Sequence, residues 1–226
     1  MSKRWEPSAS GERAVTGVWP AQPLRPYTGP LYALSTEDLE FFKSRYELNT
    51  VPAMRGIMRG ADDRYALPIF DARGIERGIV LRQPWGGAPI YGCSLIKPKA
   101  DTYVSRRGPV QSHYGTQSAA RHNALVVVED QLSAIKLAAH GYPSVALLGT
   151  PADKIGTYSG SDRVAELSRR GAVLDEVIIA LDSDATEDAF MFARKWGHAF
   201  RRLRVAILSS DIKDTPSSEF AEVLQA

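Results

Sequence analysis

The 226-residue chain places two aspartates one residue apart, Asp182 and Asp184, directly after five apolar residues, Val177 to Leu181. Side chains at alternate positions of an extended segment leave the backbone on the same side, so the two carboxylates can share one site. Glu129 ends another apolar run, Ala124 to Val128, and Asp211, Lys213 and Asp214 follow a further one that closes at Leu208. Crowded carboxylates repel, and at neutral pH they need a compensating cation. Hard oxygen donors in a loose arrangement suit Mg²⁺ or Mn²⁺, which keep several waters and take phosphate oxygens as further ligands. Each acid alone has a plainer explanation, because Asp130 or Asp184 would serve equally as the N-cap of the helix that follows. Several buried strands all ending in acid point instead to a shared site.

Such a site needs elements to hold it. The runs "ALVVV", "SVALLG", "EVIIAL" and "RVAILSS" are short, apolar and uninterrupted. Helical patterns separate them: "DQLSAIKLAAHG" with Leu132, Ile135 and Ala139 inward and Gly141 as its stop, then "DRVAELSRRG", then "TEDAFMFARKWGHAF" with Ala189, Ala193, Trp196 and Phe200 on one stripe. The alternation predicts an α/β unit over residues 123–226, a four-stranded parallel sheet flanked by helices. Ligands of such sheets bind beyond the carboxyl ends of the strands, which is where Glu129, Gly149, Asp182, Asp184, Lys213 and Asp214 emerge. Gly149 would let backbone approach a metal or phosphate closely, or would be a plain turn glycine.

Upstream, residues 31–122 read as a small mixed α+β unit. "STEDLEFFKSRYEL" predicts a helix capped by Ser35 or Thr36, with Leu39, Phe42 and Tyr46 on one face. "YALPIFDARGIERGIVLRQ" predicts a hairpin turning at Asp71 to Gly74. From Arg55 to Arg107 there are ten Lys/Arg against five Asp/Glu, a local excess that suits an anionic partner. Trp85, Tyr91 and Tyr103 lie near that stretch, as core residues or as platforms for bases. Residues 1–30, rich in Pro, Ser, Gly and charge, read as an irregular tail.

The bulk numbers exclude several classes. A net charge of +2 gives no global attraction to nucleic acid. A single cysteine, Cys93, can form neither an internal disulfide nor a Cys-x-x-Cys zinc site. No apolar run approaches the roughly 20 residues that span a bilayer, and the N-terminus lacks an apolar signal core. The expected location is cytoplasmic, the host cytoplasm if the chain is phage-encoded.

A strand ending in Glu, a helix, a strand ending in Gly and a strand ending in Asp-x-Asp together resemble the TOPRIM domain of topoisomerases, bacterial-type primases, OLD-family nucleases and recombination mediators. The match runs through "VVVEDQLSAIKLA", "LLGT" and "IIALDSDA". "SSDIKDTPSSEF" resembles the Lys-Asp or Gly-x-Asp-Pro motif that follows the last TOPRIM strand of primases. The Asp71–Gly74 hairpin, Arg82, Lys97 or Lys99, and Tyr114 to Ala119 resemble the basic subdomain that precedes TOPRIM in bacterial and phage primases. The resemblance departs in one place: the Glu is commonly followed by Gly and, four residues on, by Asp, where this chain has Asp130 and Ser133. It implies a primase catalytic core without the zinc-binding and helicase domains, working with a separate zinc-module or helicase partner.

The resemblance also implies roles. Glu129, Asp182 and Asp184 would bind Mg²⁺ or Mn²⁺ and carry catalysis, with Asp214 as a further acid. Arg82, Lys97, Lys99, Gly149 and Lys213 would contact nucleoside triphosphates or the single-stranded DNA template. A metal-dependent nuclease and a non-catalytic nucleic-acid-binding module are the alternatives. A topoisomerase is disfavoured, since the chain is too short for a strand gate and offers no well-placed catalytic tyrosine.

Overall fold

The computed structural model describes residues 24–49, 54–61, 64–83, 100–106, 111–115, 122–148 and 173–225, with Val164, Leu167, Ser168, Arg170 and Gly171 between them. Lys97, Lys99, Gly149, Trp85, Tyr91 and residues 116–119 lie outside the described residues, as do residues 1–23 of the tail.

Helix α1 (Thr36–Tyr46) starts where a local hydrogen-bond pair lets it. Ser35 Oγ accepts from the Asp38 amide at 3.1 Å, and the Asp38 carboxylate accepts from the Ser35 amide at 2.8 Å, so two donors at the helix start are satisfied reciprocally. Asp38 then accepts from the Tyr65 hydroxyl at 2.6 Å and from Arg59 at 2.9 Å. That places Asp38 on the buried face beside Phe42 and Tyr46, while Leu39, expected there, is 37% exposed.

The first sheet joins β1 (Leu31–Tyr32), β2 (Met58–Gly60), β3 (Tyr65–Phe70), β4 (Glu76–Arg82) and β5 (Ala100–Val104) in sequence order, each pair antiparallel. The predicted hairpin is β3–β4. Its turn is built by Asp71, whose Oδ1 accepts from the amides of Arg73 and Ile75, both at 2.9 Å, and by Gly74 at φ 76°. Tyr65 pairs with Arg82 and Leu67 with Val80, and strand alternation puts all four on the face turned to the helices.

The second sheet has the order β10 (Leu203–Val205), β9 (Glu176–Ile179), β7 (Ala124–Val128), β8 (Ser144–Ala146), β6 (Ser112–Tyr114). β10, β9, β7 and β8 run parallel, and β6 is antiparallel to β8. The expected four-stranded parallel sheet is therefore five-stranded and mixed among the described residues. The added strand comes from residues N-terminal to 123, and tertiary bonds hold it. Ser112 Oγ and the Tyr114 hydroxyl both donate to the Pro68 carbonyl of β3, at 3.2 and 2.6 Å.

Helix α2 (Gln131–Ala139) lies between the sheets. One core cluster runs from Phe42 and Tyr46 through Tyr65 and Leu67 to Leu132, Ile135, Val126 and Val128. The other face of the second sheet, including Leu125, Val127, Val145 and Ile179, packs on the helical residues Val164 and Leu167 and on helix α3 (Thr186–Trp196). On α3 the inward stripe is Ala189, Phe192 and Trp196, with Phe192 buried where Ala193 was expected to be. Phe192 is the larger apolar group, and burying it removes more surface from water.

Candidate active site at the rim of the parallel sheet

The order β10-β9-β7-β8 sends the chain to one side of β7 through α2 and β8, then to the other side at β9. The order reverses between β7 and β9, and a crevice opens beyond the carboxyl ends of two parallel strands that diverge in this way. Glu129 follows β7, and Asp182 follows β9 by three residues. Two further bonds fix these strand ends. Ala180 donates to the Val127 carbonyl at 2.8 Å, and the Leu148 amide to the Glu129 carbonyl at 2.8 Å. Leu148 holds a left-handed φ of 58°, unusual for a leucine, at the point where β8 leaves the sheet beside Glu129.

Burial pushes the Glu129 carboxyl up to about 7, with the charges of Asp182, Asp184 and Asp130 adding to it and the Asp182 amide opposing. Burial likewise raises Asp182 to about 6, against the pull of Lys213 and with the push of Asp130, Asp211 and Asp184. At neutral pH this rim is short of positive charge. Asp184 sits exposed in the 3₁₀ turn Ser183–Ala185 that leads into α3. Neither Asp182 nor Ala185, the flanking residues that precede the two helical turns, caps them with its side chain.

Asp130 is the N-cap of α2. Its Oδ1 accepts from the amides of Leu132 and Ser133 at 2.8 and 3.2 Å, and its Oδ2 accepts from Ser133 Oγ at 3.0 Å. The same carboxylate faces two cations: Arg82 at the end of β4 (3.1 Å) and Lys213 (3.3 Å). Burial would raise Asp130, yet Arg82, Lys213 and Ser133 hold it below the ordinary range.

Lys213 is the positive centre of the rim. Its ammonium pairs with Asp211 and lies 3.3 Å from Asp130 and 3.9 Å from Asp182. Asp214, expected at the same site, turns to Arg45 on α1 instead, and Asp211 takes the place beside Lys213. The loop is held from beneath by Lys136 of α2, which donates to the carbonyls of Lys213 (3.3 Å) and Thr215 (2.7 Å) and lies 3.9 Å from Glu47. The sequence places Asp211 among the acids after the last apolar run without giving it a role, and Lys136 is not among the candidates, since a lysine in a helix carries no local sign of burial.

The site therefore unites Glu129, Asp182, Asp184, Arg82 and Lys213 and sets Asp214 to one side. Its oxygen donors match a hard divalent cation in chemistry. Among the described residues no group of three or more carboxylate, imidazole or thiol side chains is arranged so as to hold a metal ion, so the acids form no closed cage. Tyr103, a candidate for base stacking, carries Arg25 on its ring at 4.5 Å and Tyr27 edge-on at 5.1 Å. It packs on the face of the first sheet turned away from α2. No helix among the described residues is long and apolar enough to cross a membrane.

No family model matches the chain, and neither does any curated protein sequence. Among solved structures the chain is similar to a DNA primase domain from Pseudomonas aeruginosa, at 19% identity and a TM-score of 0.48, over 82% of this chain and 56% of that one. It is also similar to the RNA polymerase domain of the Mycobacterium tuberculosis primase DnaG, at 17% identity and a TM-score of 0.49, over 86% of this chain and 68% of that one. The chain thus spans little more than half the length of the first of these primase domains.

Proposed function

We propose that this chain is a primase-like nucleotidyltransferase that joins nucleoside triphosphates into short primers on a single-stranded DNA template. The observation that carries the reading is the rim itself. Glu129 and Asp182 end strands on either side of the reversal in strand order, both with raised carboxyls, and Arg82 and Lys213 stand beside them on Asp130. Acids short of positive charge next to two cations suit a reaction in which a metal-bound polyanion is attacked by a hydroxyl. The resemblance of "SSDIKDTPSSEF" and of the Arg82 region to primases favours polymerisation over hydrolysis.

In the reaction the 3′-hydroxyl oxygen of one nucleotide forms a bond to the α-phosphorus of the next, and the bond from that phosphorus to the bridging oxygen breaks to release pyrophosphate. Glu129, whose carboxyl lies near neutrality, would accept the hydroxyl proton. Arg82 and Lys213 would bind the triphosphate oxygens, the guanidinium by its fixed fork and the ammonium as a point charge. Glu129, Asp182 and Asp184 would hold Mg²⁺ or Mn²⁺, with Asp214 outside them. When bound, the cation supplies charge neutralisation at the phosphates and lowers the cost of forming the attacking alkoxide. The template and any helicase or zinc-module partner belong to the same proposal.

The test is primer synthesis on single-stranded DNA of mixed sequence with labelled nucleotides and Mg²⁺ or Mn²⁺, run beside an Asp182→Ala, Asp184→Ala double variant. Short labelled products from the wild type alone support the reading. Shortened template without new product assigns the same acids to a nuclease. DNA binding with neither outcome leaves a binding module.

A further inference from the structure

We infer that Asp130 is the positioning residue of this site, a fixed anion that sets Arg82 and Lys213 side by side to receive neighbouring phosphates of a nucleoside triphosphate. The inference rests on the reading of the rim proposed above and assigns a role to a residue outside its set of acids.

Asp130 has no freedom left to act as a ligand. Oδ1 accepts two amides of the first turn of α2 and faces Arg82; Oδ2 accepts the Ser133 hydroxyl and faces Lys213. An ionised carboxylate offers about four lone-pair sites, and these five contacts fill them. The side chain is 11% exposed, so its charge is paired on the protein rather than by solvent. The backbone bonds matter most for precision. They tie the anion to the start of a helix whose next turn packs in the core, whereas Arg82 and Lys213 ride on a strand end and a loop. An anchored anion holds two longer cationic side chains in place and reduces the rotamer entropy they lose on binding phosphate.

The two cations come from different parts of the fold. Arg82 ends a strand of the antiparallel sheet, and Lys213 lies beyond the last parallel strand, 131 positions later. Asp130 is the one carboxylate among the described residues that contacts both Arg82 and Lys213. Asp211 and Asp182 contact Lys213 alone. One acid thus joins a base at the end of a strand of the first sheet to a base in the loop that follows the last strand of the second.

The test uses the full chain and a non-hydrolysable nucleoside triphosphate, titrated by fluorescence, together with melting curves. Asp130→Asn keeps size and N-cap capacity, removes the charge and turns one of the two acceptor oxygens into an N–H donor. The expected result is affinity weakened by about 10-fold in a variant that still melts cooperatively, at a temperature lowered by the loss of the carboxylate charge between Arg82 and Lys213. Adding Ser133→Asp to that variant should restore most of the affinity, because the Ser133 hydroxyl already lies 3.0 Å from Oδ2 and a carboxylate there reaches the same cations. Wild-type affinity in Asp130→Asn overturns the inference alone, as does failure of Ser133→Asp to rescue it. Wild-type protein that binds no triphosphate overturns the reading of the rim and the inference with it.

Discussion

Lys136 of α2, only 2% exposed, donates to the carbonyl oxygen of Thr215 over 2.7 Å and so pins the loop bearing Lys213 to the core. A buried ammonium is tolerated only where its donors are used, and here three oxygens surround it: two main-chain carbonyls and, farther off, Glu47. Burial lowers its pKa, and Glu47 and Asp214 work against that fall.

Lys136→Met fills the same space without the donors. The buried Thr215 carbonyl and the part-buried Lys213 carbonyl lose their partner, at a cost of ~1–3 kcal/mol. Chemical denaturation should show that loss, and primer synthesis should show a raised KM for nucleotide because the Lys213 loop is no longer held. A variant as stable as the wild type would mean that water replaces the ammonium.

Much of this site could be read before any coordinates. Buried parallel strands are continuous apolar runs, so the residues at their ends, Glu129 and Asp182, announce themselves by breaking the run. The capping alternative weighed for Asp130 holds as well, since a cap is local in sequence. What could not be read is long-range. Arg82 is 48 residues from Asp130 and Arg45 is 169 from Asp214, and nothing near either pair records its partner. The strand Ser112–Tyr114 is three residues long and includes a histidine, too short to show a period. Phe192 replaced Ala193 on the α3 stripe because a one-position rotation of a helix turns about 100° and the larger side chain took the buried place.

Glu129 gives the pH dependence of stability a sign. Its carboxyl, near 4.5 in the unfolded chain, is raised to about 7 by burial first and by Asp182 and Asp184 next. The folded protein therefore holds more protons than the unfolded chain between these values, and stability falls as pH rises through that window. Glu129→Gln removes the charge and should stabilise the protein at pH 8 by ~1–2 kcal/mol after allowance for solvent screening, with little change at pH 4. Melting curves at the two pH values in the absence of divalent cations decide it. An equal change at both would show that the carboxylate is not the cause.

The same variant should lose activity. A general base contributes roughly 10²–10⁴-fold, so Glu129→Gln should lower kcat by that order while nucleotide affinity changes less. Single-turnover rates compared with nucleotide binding separate the two effects. Equal losses in both would assign Glu129 to binding alone.

Gly78 lies where β4 meets β5, and a Cβ added there would stand 2.0 Å from the Tyr103 carbonyl oxygen. The strands must part or the residue must stay glycine. Gly78→Ala should cost ~1–3 kcal/mol by overpacking and displace Arg82, four residues along the same strand. Denaturant melts give the first effect and the affinity for triphosphate gives the second. Unchanged stability would mean that β5 moves away freely.

Lys213 offers the sharpest electrostatic test, because its ammonium faces Asp130, Asp182 and Asp211 together. Those acids raise its pKa against the effect of burial, so it stays charged throughout the neutral range. Asp182 differs, since burial already lifts it to about 6 while Lys213 holds it down. In Lys213→Met the Asp182 carboxyl must rise further. Below pH 5 Asp182 is largely protonated in the folded protein, so losing the ammonium costs it little, although Asp130, held below the ordinary range, still loses its partner. At pH 8 Asp182 is ionised as well, and its charge also loses the cation. The stability lost on Lys213→Met should accordingly be larger at pH 8 than at pH 5, and added Mg²⁺ should recover part of it at pH 8 only. Thermal melts at both pH values, with and without the cation, test each half. A loss independent of pH would mean that Lys213 acts through packing of its stem rather than through its charge.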